Sequence, residues 1–340
     1  MKRKSAGPLA PRIVATLLTI LFSSVAVYAA VNSFVRAPET PPTPPAQSEN
    51  AGAESGGEAG GTAAEDTQTV PDGKARKEYC YTILVSGLDN DNGGSDTNIL
   101  VRFDAKNKTI DLVSLPRDTL LNHQWVSNKL NFAYARGGTA LLQEEIENLL
   151  GIPVDFYVSV DLAAFIALVD QIGGVQFDIP MDMDYDDPYQ NLHIHFKKGP
   201  RLLNGQEAME VVRWRKNNDG SGYAAADIGR IGTQQAFLKE VAKELLQIGN
   251  VKEIPALAEI FFTYVKTDLT LGNLVWLGTE ALGIGMDGVR FHTLPGDGMG
   301  YYRGESVYEV DPVAALALVN DALNPYVADI TAEDMDVLVP

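Results

Sequence analysis

From residue 80 onward, short apolar runs of strand length alternate with longer segments whose apolar side chains recur at helical spacing. That alternation leaves few architectures open. "CYTILVSGLD" is a buried strand over residues 81–86 that ends in a turn at Gly87. "NILVRFD" and "TIDLVSL" are two strands of a hairpin joined by "AKNK", and "VDFYVSVD" and "GVRFHTLPG" are further strands. Between them, "TALLQEEIENLLG" has helical spacing and a C-capping glycine in Gly151. "LAAFIALVDQIGG" is a helix closed by Gly173 and Gly174, followed by the short strand "VQFDIP". "NGQEAMEVVRWR" reads as a helix running to two arginines. "DIGRIGTQQAFLKEVAKELLQI" reads as a long amphipathic helix with Ile228, Ile231, Phe237, Leu238, Val241, Leu245 and Leu246 on its apolar face. "NLVWLGTEALGI" and "PVAALALVNDAL" add two more helices, and no segment repeats at a fixed period. The pattern predicts an α/β fold with a central sheet covered by helices, and the early hairpin makes that sheet mixed.

The chain ahead of residue 78 obeys different rules. Lys2, Arg3, Lys4 and Arg12 precede residues 13–31, which run 19 residues without a charge. Such a run is long enough to cross a hydrocarbon core of about 30 Å. The basic flank keeps residues 1–12 in the cytoplasm and places the rest outside. The expectation is an uncleaved, single-pass anchor in the cell membrane; the competing reading is a signal peptide cleaved near "VYAA". Residues 32–77 include "PETPPTPPAQ" and "AGAESGGEAGGTAAED", with no apolar periodicity, and are expected to be a disordered extracellular tether. The folded domain is expected over 78–326, with 327–340 a C-terminal tail.

Charge narrows the chemistry. With 45 acidic and 27 basic residues the net charge is −18, which argues against nucleic acid as a partner but permits a local cluster that binds phosphate. The one cysteine, Cys80, cannot close an intramolecular disulfide, and a small buried residue is its expected role.

Four places set polar groups at the ends of regular elements. In "DNDNGGSD", Asp89, Asp91 and Asp96 gather around glycines, an arrangement suited to Mg²⁺ or Ca²⁺ and equally to a solvated acidic turn. In "VSLPRDT", a proline stiffens the strand exit and aims Arg117, with Asp118 beside it. "SNKLNFAYARGG" carries Lys129, Asn131 and Arg136 ahead of a glycine-rich turn into a helix, where an anion finds a favourable dipole. In "VVRWRKNNDGSGYAAADIGRIGTQQ", Arg213 and Arg215 flank Trp214, Arg230 and Gln234 share a helix face, and Asp227 sits near the helix start. Carboxylates for a metal with arginines for oxyanions are the parts that phosphoryl transfer needs.

The order "SGLD…GGSDTNILVRFD…VSLPRDT…KLNFAYARGG…VRWRK…ADIGRIGTQQAFL" resembles the LytR-CpsA-Psr family, and the later "YRGESVYEVD" is similar to its C-terminal part. The resemblance implies an α/β/α sandwich with a hydrophobic tunnel for a prenyl chain, the apolar side chains of "FYVSVDLAAFIALV" being candidates to line it. It implies a membrane-anchored phosphotransferase that moves a phospho-linked glycopolymer, teichoic acid or capsule, from a polyprenyl-pyrophosphate carrier to a peptidoglycan hydroxyl. By motif, Asp89 and Asp96 match carboxylates that hold Mg²⁺, or Mn²⁺. Arg117, Arg213 and Arg215 match the pyrophosphate-binding arginines, Arg230 and Gln234 match the helix pair beside them, and Lys129 is a further phosphate contact. Asp227 matches an aspartate of the motif. Asp118 and Asp96 are candidates to take the acceptor's proton, Asp118 alternatively orienting Arg117. Two positions depart from the pattern: Gly94 and Thr233 stand where many members have arginine. The segment between Arg215 and Asp227 is longer than in many relatives and would lid the site. A hydrolase of the same lipid, and an exported Ca²⁺-dependent polymer-binding or adhesion module, are the alternatives to a transferase.

Overall fold

A computed structural model describes residues 35–40, 74–89, 93–188, 192–223, 226–247, 263 and 265–340; the side chains of Asp89, residues 226–228 and Gln247 lie outside that description. The expected membrane span at 13–31 and most of the tether fall outside it too. Among the described residues no helix is long and apolar enough to cross a membrane.

Among the described residues, six strands make the central sheet. β1 (Cys80–Asp89), β2 (Gly94–Asp104), β3 (Thr109–Leu115), β4 (Phe156–Val160), β9 (Lys266–Thr267) and β10 (Val289–Thr293) lie in the order β10-β3-β2-β1-β4-β9. β1 pairs antiparallel with β2 and parallel with β4, and β10 joins β3 in parallel, so the sheet is mixed as the hairpin predicts. Side chains alternate between faces. Leu84, Leu100 and Val113, all fully buried, pack against α1 (Leu130–Leu150) and the last helix, α6 (Pro312–Leu318). Ile83, Phe103 and Phe156 face the other way, towards α2 (Leu162–Gln171) and α5 (Leu271–Ile284). Helices cover both faces.

A second cluster sits above that second face. β5 (Val175–Ile179) pairs with β8 (Gly199–Leu203), so the strand expected at "VQFDIP" belongs to a separate ribbon and not to the central sheet. β6 (Met183–Asp187) pairs with β7 (Leu192–Phe196), a hairpin that the periodicity of the sequence did not reveal. α3 (Gly205–Arg213) and α4 (Ala226–Gln247) complete the cluster around Trp214, Ile194 and Phe237. α3 starts on a full capping box between Asn204 and Glu207.

Two expectations about helix and domain ends are corrected. The glycine-rich turn expected at "ARGG" is a break at Gly138 (φ 67°, ψ −156°) inside a helical stretch that already begins at Leu130, because Leu130 and Ala133 are buried in the core. The tail expected at 327–340 is part of the folded unit. Ile330 is buried, Asp334 pairs with Lys74 at 2.8 Å, and the Asp336 amide donates to the Asn148 carbonyl at 2.8 Å. Gly151 caps α1 with φ 68°, and a Cβ there would meet the Asp334 carbonyl oxygen at 2.6 Å, so that glycine also admits the tail. At the other end Arg76 pairs with the buried Asp155 at 2.5 Å, which brings the boundary back before residue 78. β11 (Gly296–Tyr302) and β12 (Glu305–Val310) form a last hairpin.

Candidate active site

Strand register assembles the centre of the site. Asn98 of β2 lies opposite Leu115 of β3. Continuing that register outward sets Asp96 opposite Arg117, and the two side chains form an ion pair. The loop that carries Arg117 is tied at every step. Thr119 donates through its amide (3.0 Å) and its hydroxyl (2.6 Å) to the Pro116 carbonyl. The Arg117 carbonyl accepts from the Asn131 amide at the start of α1 (2.9 Å), and the Asp118 carbonyl accepts from the Tyr308 amide of β12 (2.8 Å). Proline stiffness is thus one of several restraints that aim Arg117. Asp118 lies between two cations, 3.5 Å from Arg117 Nε and 3.6 Å from Lys129 Nζ.

The remaining cations arrive from the second cluster. Arg213 is the last residue of α3, and Trp214 turns the chain into extended backbone so that Arg215 follows on. The Trp214 ring is buried, edge-on to Tyr223 at 4.9 Å. Arg215 Nη2 reaches 3.9 Å from Asp96 Oδ2, so Asp96 faces two guanidinium groups. Arg230 is buried on α4, and Gln234, one turn on, donates to the Val212 carbonyl at 3.2 Å, pinning the end of α3 beside Arg213. Thr233, which stands where many family members have arginine, is buried, and its hydroxyl lies 2.5 Å from the Tyr223 hydroxyl, so the position serves packing. At Gly94 a Cβ would meet only the Asn131 carbonyl oxygen, at 3.7 Å, so the missing arginine there is not forced by space. The side chains of Asp89 and Asp227, and Asp91 altogether, lie outside the described residues.

These polar groups stand at one end of a cavity of about 1540 Å³. Asp96, Arg117, Asp118, Arg213, Arg215 and Gln234 line it at that end; Lys129 does not and acts from behind Asp118. Asp161, Asp187, Lys216, Arg230 and Gln235 also line it, and most of the remaining wall is hydrocarbon. Val85, Val101 and Leu112 come from the sheet, Phe165 from α2, Leu238 from α4 and Leu277 from α5. Both Arg230 and Leu245 of α4 touch it, which at 1.5 Å per residue is about 22 Å of helix. The apolar side chains expected to line a prenyl site divide: Val158, Val160, Phe165 and Leu168 do, whereas the buried Ala164 packs into the core.

Three contributors were not visible in the sequence. Gln235 donates to Ser114 Oγ (3.0 Å) and Thr293 Oγ1 (2.8 Å), fastening α4 to β3 and β10. Tyr308 lines the cavity, and its amide holds the loop of Arg117. Tyr185 and Leu192 bring the β6–β7 hairpin to the cavity wall. Turns and pairings between distant segments place all three, and none belongs to a local motif. The segment after Arg215 that was expected to lid the site is, over 217–221, a turn whose Asn217 and Asn218 dock on β6.

The donor set beside Asp96 suits a hard cation. Ser95 Oγ and Asn98 Oδ1 on β2, the strand of Asp96, and Ser86 Oγ on the adjacent β1 are buried oxygens without a hydrogen-bond partner. Oxygen donors of this kind match Mg²⁺.

A model of the LytR_cpsA_psr family matches residues 48–322. The chain is similar to the polyisoprenyl-teichoic acid–peptidoglycan teichoic acid transferase TagV of Bacillus subtilis (strain 168), 31% identical over 249 residues, 70% of this chain and 62% of TagV. It thus spans under two thirds of that relative's length. TagU of the same strain, named for the same activity, is 29% identical over 239 residues, 67% of this chain and 74% of TagU. The crystal structure of B. subtilis TagV superposes with a TM-score of 0.59 at 28% identity, covering 69% of this chain and 92% of that one.

Proposed function

The chain belongs to the LytR-CpsA-Psr family, and from that premise we propose that it transfers a phospho-linked glycopolymer from a polyprenyl-pyrophosphate carrier to a peptidoglycan hydroxyl. One observation carries the reading: a long apolar cavity opens onto a cluster of arginines and carboxylates. Only a ligand with an oily tail and a multiply charged head satisfies both ends. The cavity exceeds the roughly 300–1,000 Å³ of a site for a drug-sized molecule. The tail lies along α4, and the pyrophosphate meets Arg117, Arg213, Arg215 and Arg230.

Guanidinium forks match phosphate oxygens in pairs. When the pyrophosphate arrives, Arg117 and Arg215 exchange the Asp96 carboxylate for phosphate oxygens. Asp96, with Asp89 from the end of β1, would hold Mg²⁺ or Mn²⁺, and such an ion would supply charge neutralisation at the phosphates. The acceptor hydroxyl oxygen attacks the phosphorus that bears the glycan. The bond from that phosphorus to the bridging oxygen breaks, and polyprenyl phosphate leaves with its charge balanced by the arginines. Asp96 and Asp118 are the carboxylates of the cluster available to the hydroxyl's proton. Asp118, set between Arg117 and Lys129, holds Arg117 in line.

The charge-free run at 13–31 anchors the domain at the outer face of the cell membrane, where both substrates reside, and the tether lets the site reach the wall. Turnover of a defined lipid-linked donor with peptidoglycan acceptor tests the reading. Arg117→Ala is expected to lower kcat by about 100-fold or more, in the range of a lost charge-stabilising donor; full activity in that variant would overturn it. Phosphate release to water without transfer to the acceptor would instead identify a hydrolase.

A further inference from the structure

Two of the chain's four histidines stand on a surface that the transfer chemistry does not use. β6 and β7 pair antiparallel with Asp184 opposite His195 and Asp186 opposite His193. Alternation along each strand puts these four side chains on one exposed face, while Met183, Leu192, Ile194 and Phe196 are buried on the other. His193 Nδ1 lies 2.6 Å from Asp186 Oδ1. His195 Nδ1 lies 2.7 Å from Asp184 Oδ1, and its Nε2 lies 3.3 Å from Asp186 Oδ1. One ligand atom from each of Asp186, His193 and His195 falls within 4.8 Å of the others.

The turn after Arg215 backs this face. The Asp184 amide donates to Asn217 Oδ1 at 2.7 Å, the Asp186 amide donates to Asn218 Oδ1 at 3.1 Å, and Asn218 Nδ2 lies 3.4 Å from Asp186 Oδ2. Asp186 Oδ1 thus faces a nitrogen of each imidazole, while Asp184 holds His195 by its other nitrogen.

We propose that Asp186, His193 and His195, with Asp184 orienting His195 from its Nδ1 side, form a binding site for Zn²⁺ or a similar first-row divalent ion. Two imidazole nitrogens with carboxylate oxygens are a zinc donor set, whereas Mg²⁺ and Ca²⁺ take oxygen ligands. Ligands of tetrahedral zinc stand about 3.4 Å apart at Zn–N lengths of roughly 2.0–2.1 Å. The three groups reach that spacing by small rotations open to exposed side chains. The opposite face of the same hairpin presents Tyr185 and Leu192 to the cavity. A bound ion therefore clamps β6 to β7 and stiffens that wall, apart from the Mg²⁺ chemistry at Asp96.

The test is titration of the full chain with ZnCl₂ in millimolar MgCl₂ by calorimetry, with thermal unfolding followed in parallel. One zinc per chain is expected with micromolar affinity, together with a rise in Tm. His193→Asn and His195→Asn should each weaken binding by more than roughly tenfold, and Asp96→Asn should leave it unchanged. Co²⁺ should give visible ligand-field bands with the unsubstituted chain, a readout that needs no variant. Absence of stoichiometric zinc binding, or binding that survives the double histidine substitution, would overturn the proposal.

Discussion

Arg117 stands two residues beyond the end of β3 and meets Asp96 of the neighbouring β2 because the β2–β3 register, continued outward, sets the two opposite each other. The carboxylate therefore occupies the ground on which a phosphate oxygen would sit. In the ligand-free chain it keeps two guanidinium groups, those of Arg117 and Arg215, gathered and partly neutralised.

That relationship has a measurable sign. Asp96→Asn removes the competing charge, so inorganic pyrophosphate without metal should bind the variant more tightly, by roughly two- to tenfold for a partly exposed pair. Addition of Mg²⁺ should then strengthen pyrophosphate binding to the unsubstituted chain and not to the variant. Calorimetry with and without Mg²⁺ reads both effects. Weaker binding by the variant in the absence of metal would contradict the competition.

Asp118 is expected to act through Arg117. Asp118→Asn keeps the shape but loses the charge that holds Arg117 Nε and Lys129. It should lower kcat by roughly 10- to 100-fold with a smaller change in KM, and Lys129→Met should act in the same direction more weakly. Steady-state kinetics with a lipid-linked donor separates the two parameters. A shifted acidic limb in the pH–rate profile of the unsubstituted chain, abolished by Asp118→Asn, would instead make Asp118 the proton acceptor.

The cavity predicts chain-length selectivity. Val241 lies three turns beyond Arg230 on α4, about 16 Å at 1.5 Å per residue, and lines the same cavity. Val241→Trp should block the far part of the cavity and leave the charged end intact. Donors with long prenyl chains should lose turnover by roughly tenfold or more, while short-chain donors keep it. Equal losses for both lengths would mean that the tail does not lie there.

Legibility in the sequence followed the range of the interactions. Alternating runs and caps revealed the central sheet, its mixed character, the C-terminal end of α1 at Gly151 and the span of α3, because those features are local. The β6–β7 hairpin stayed unread although "LHIHF" alternates as a half-buried strand does, because its partner "MDYDD", with three aspartates in five residues, has the composition of a loop. Arg117, Arg213 and Arg215 were legible as motif residues, and the structure brings them to one cavity end. Lys129 lies outside the cavity lining, 3.6 Å from Asp118. Gln235 and Tyr308 could not be read ahead, since their roles arise from contacts over 50 residues away. The tail at 327–340 looked separable because no periodicity marks it, yet Ile330 and Asp334 fasten it to the core.

Burial makes Cys80 a reporter of the fold. The thiol is pushed from 9.0 up to about 11, chiefly by burial and then by the Asp104 carboxylate. A raised value means that the neutral thiol is favoured in the folded chain, so the unfolded chain releases its proton first. The stability from this group is whole below pH 9.0 and falls as pH rises through about 11. Urea midpoints should drop over that window less in Cys80→Ala than in the unsubstituted chain. Iodoacetamide at pH 8 should modify Cys80 only under unfolding conditions.

The most direct measurement is a crystal structure of the domain with a polyprenyl-pyrophosphate-linked glycan. Density for the prenyl chain should run along α4 between the sheet and α2, with the pyrophosphate on Arg117, Arg213 and Arg215 and the arginines turned away from Asp96. A prenyl chain bound elsewhere, or a pyrophosphate that leaves the Asp96–Arg117 pair closed, would contradict the transfer mechanism at its root.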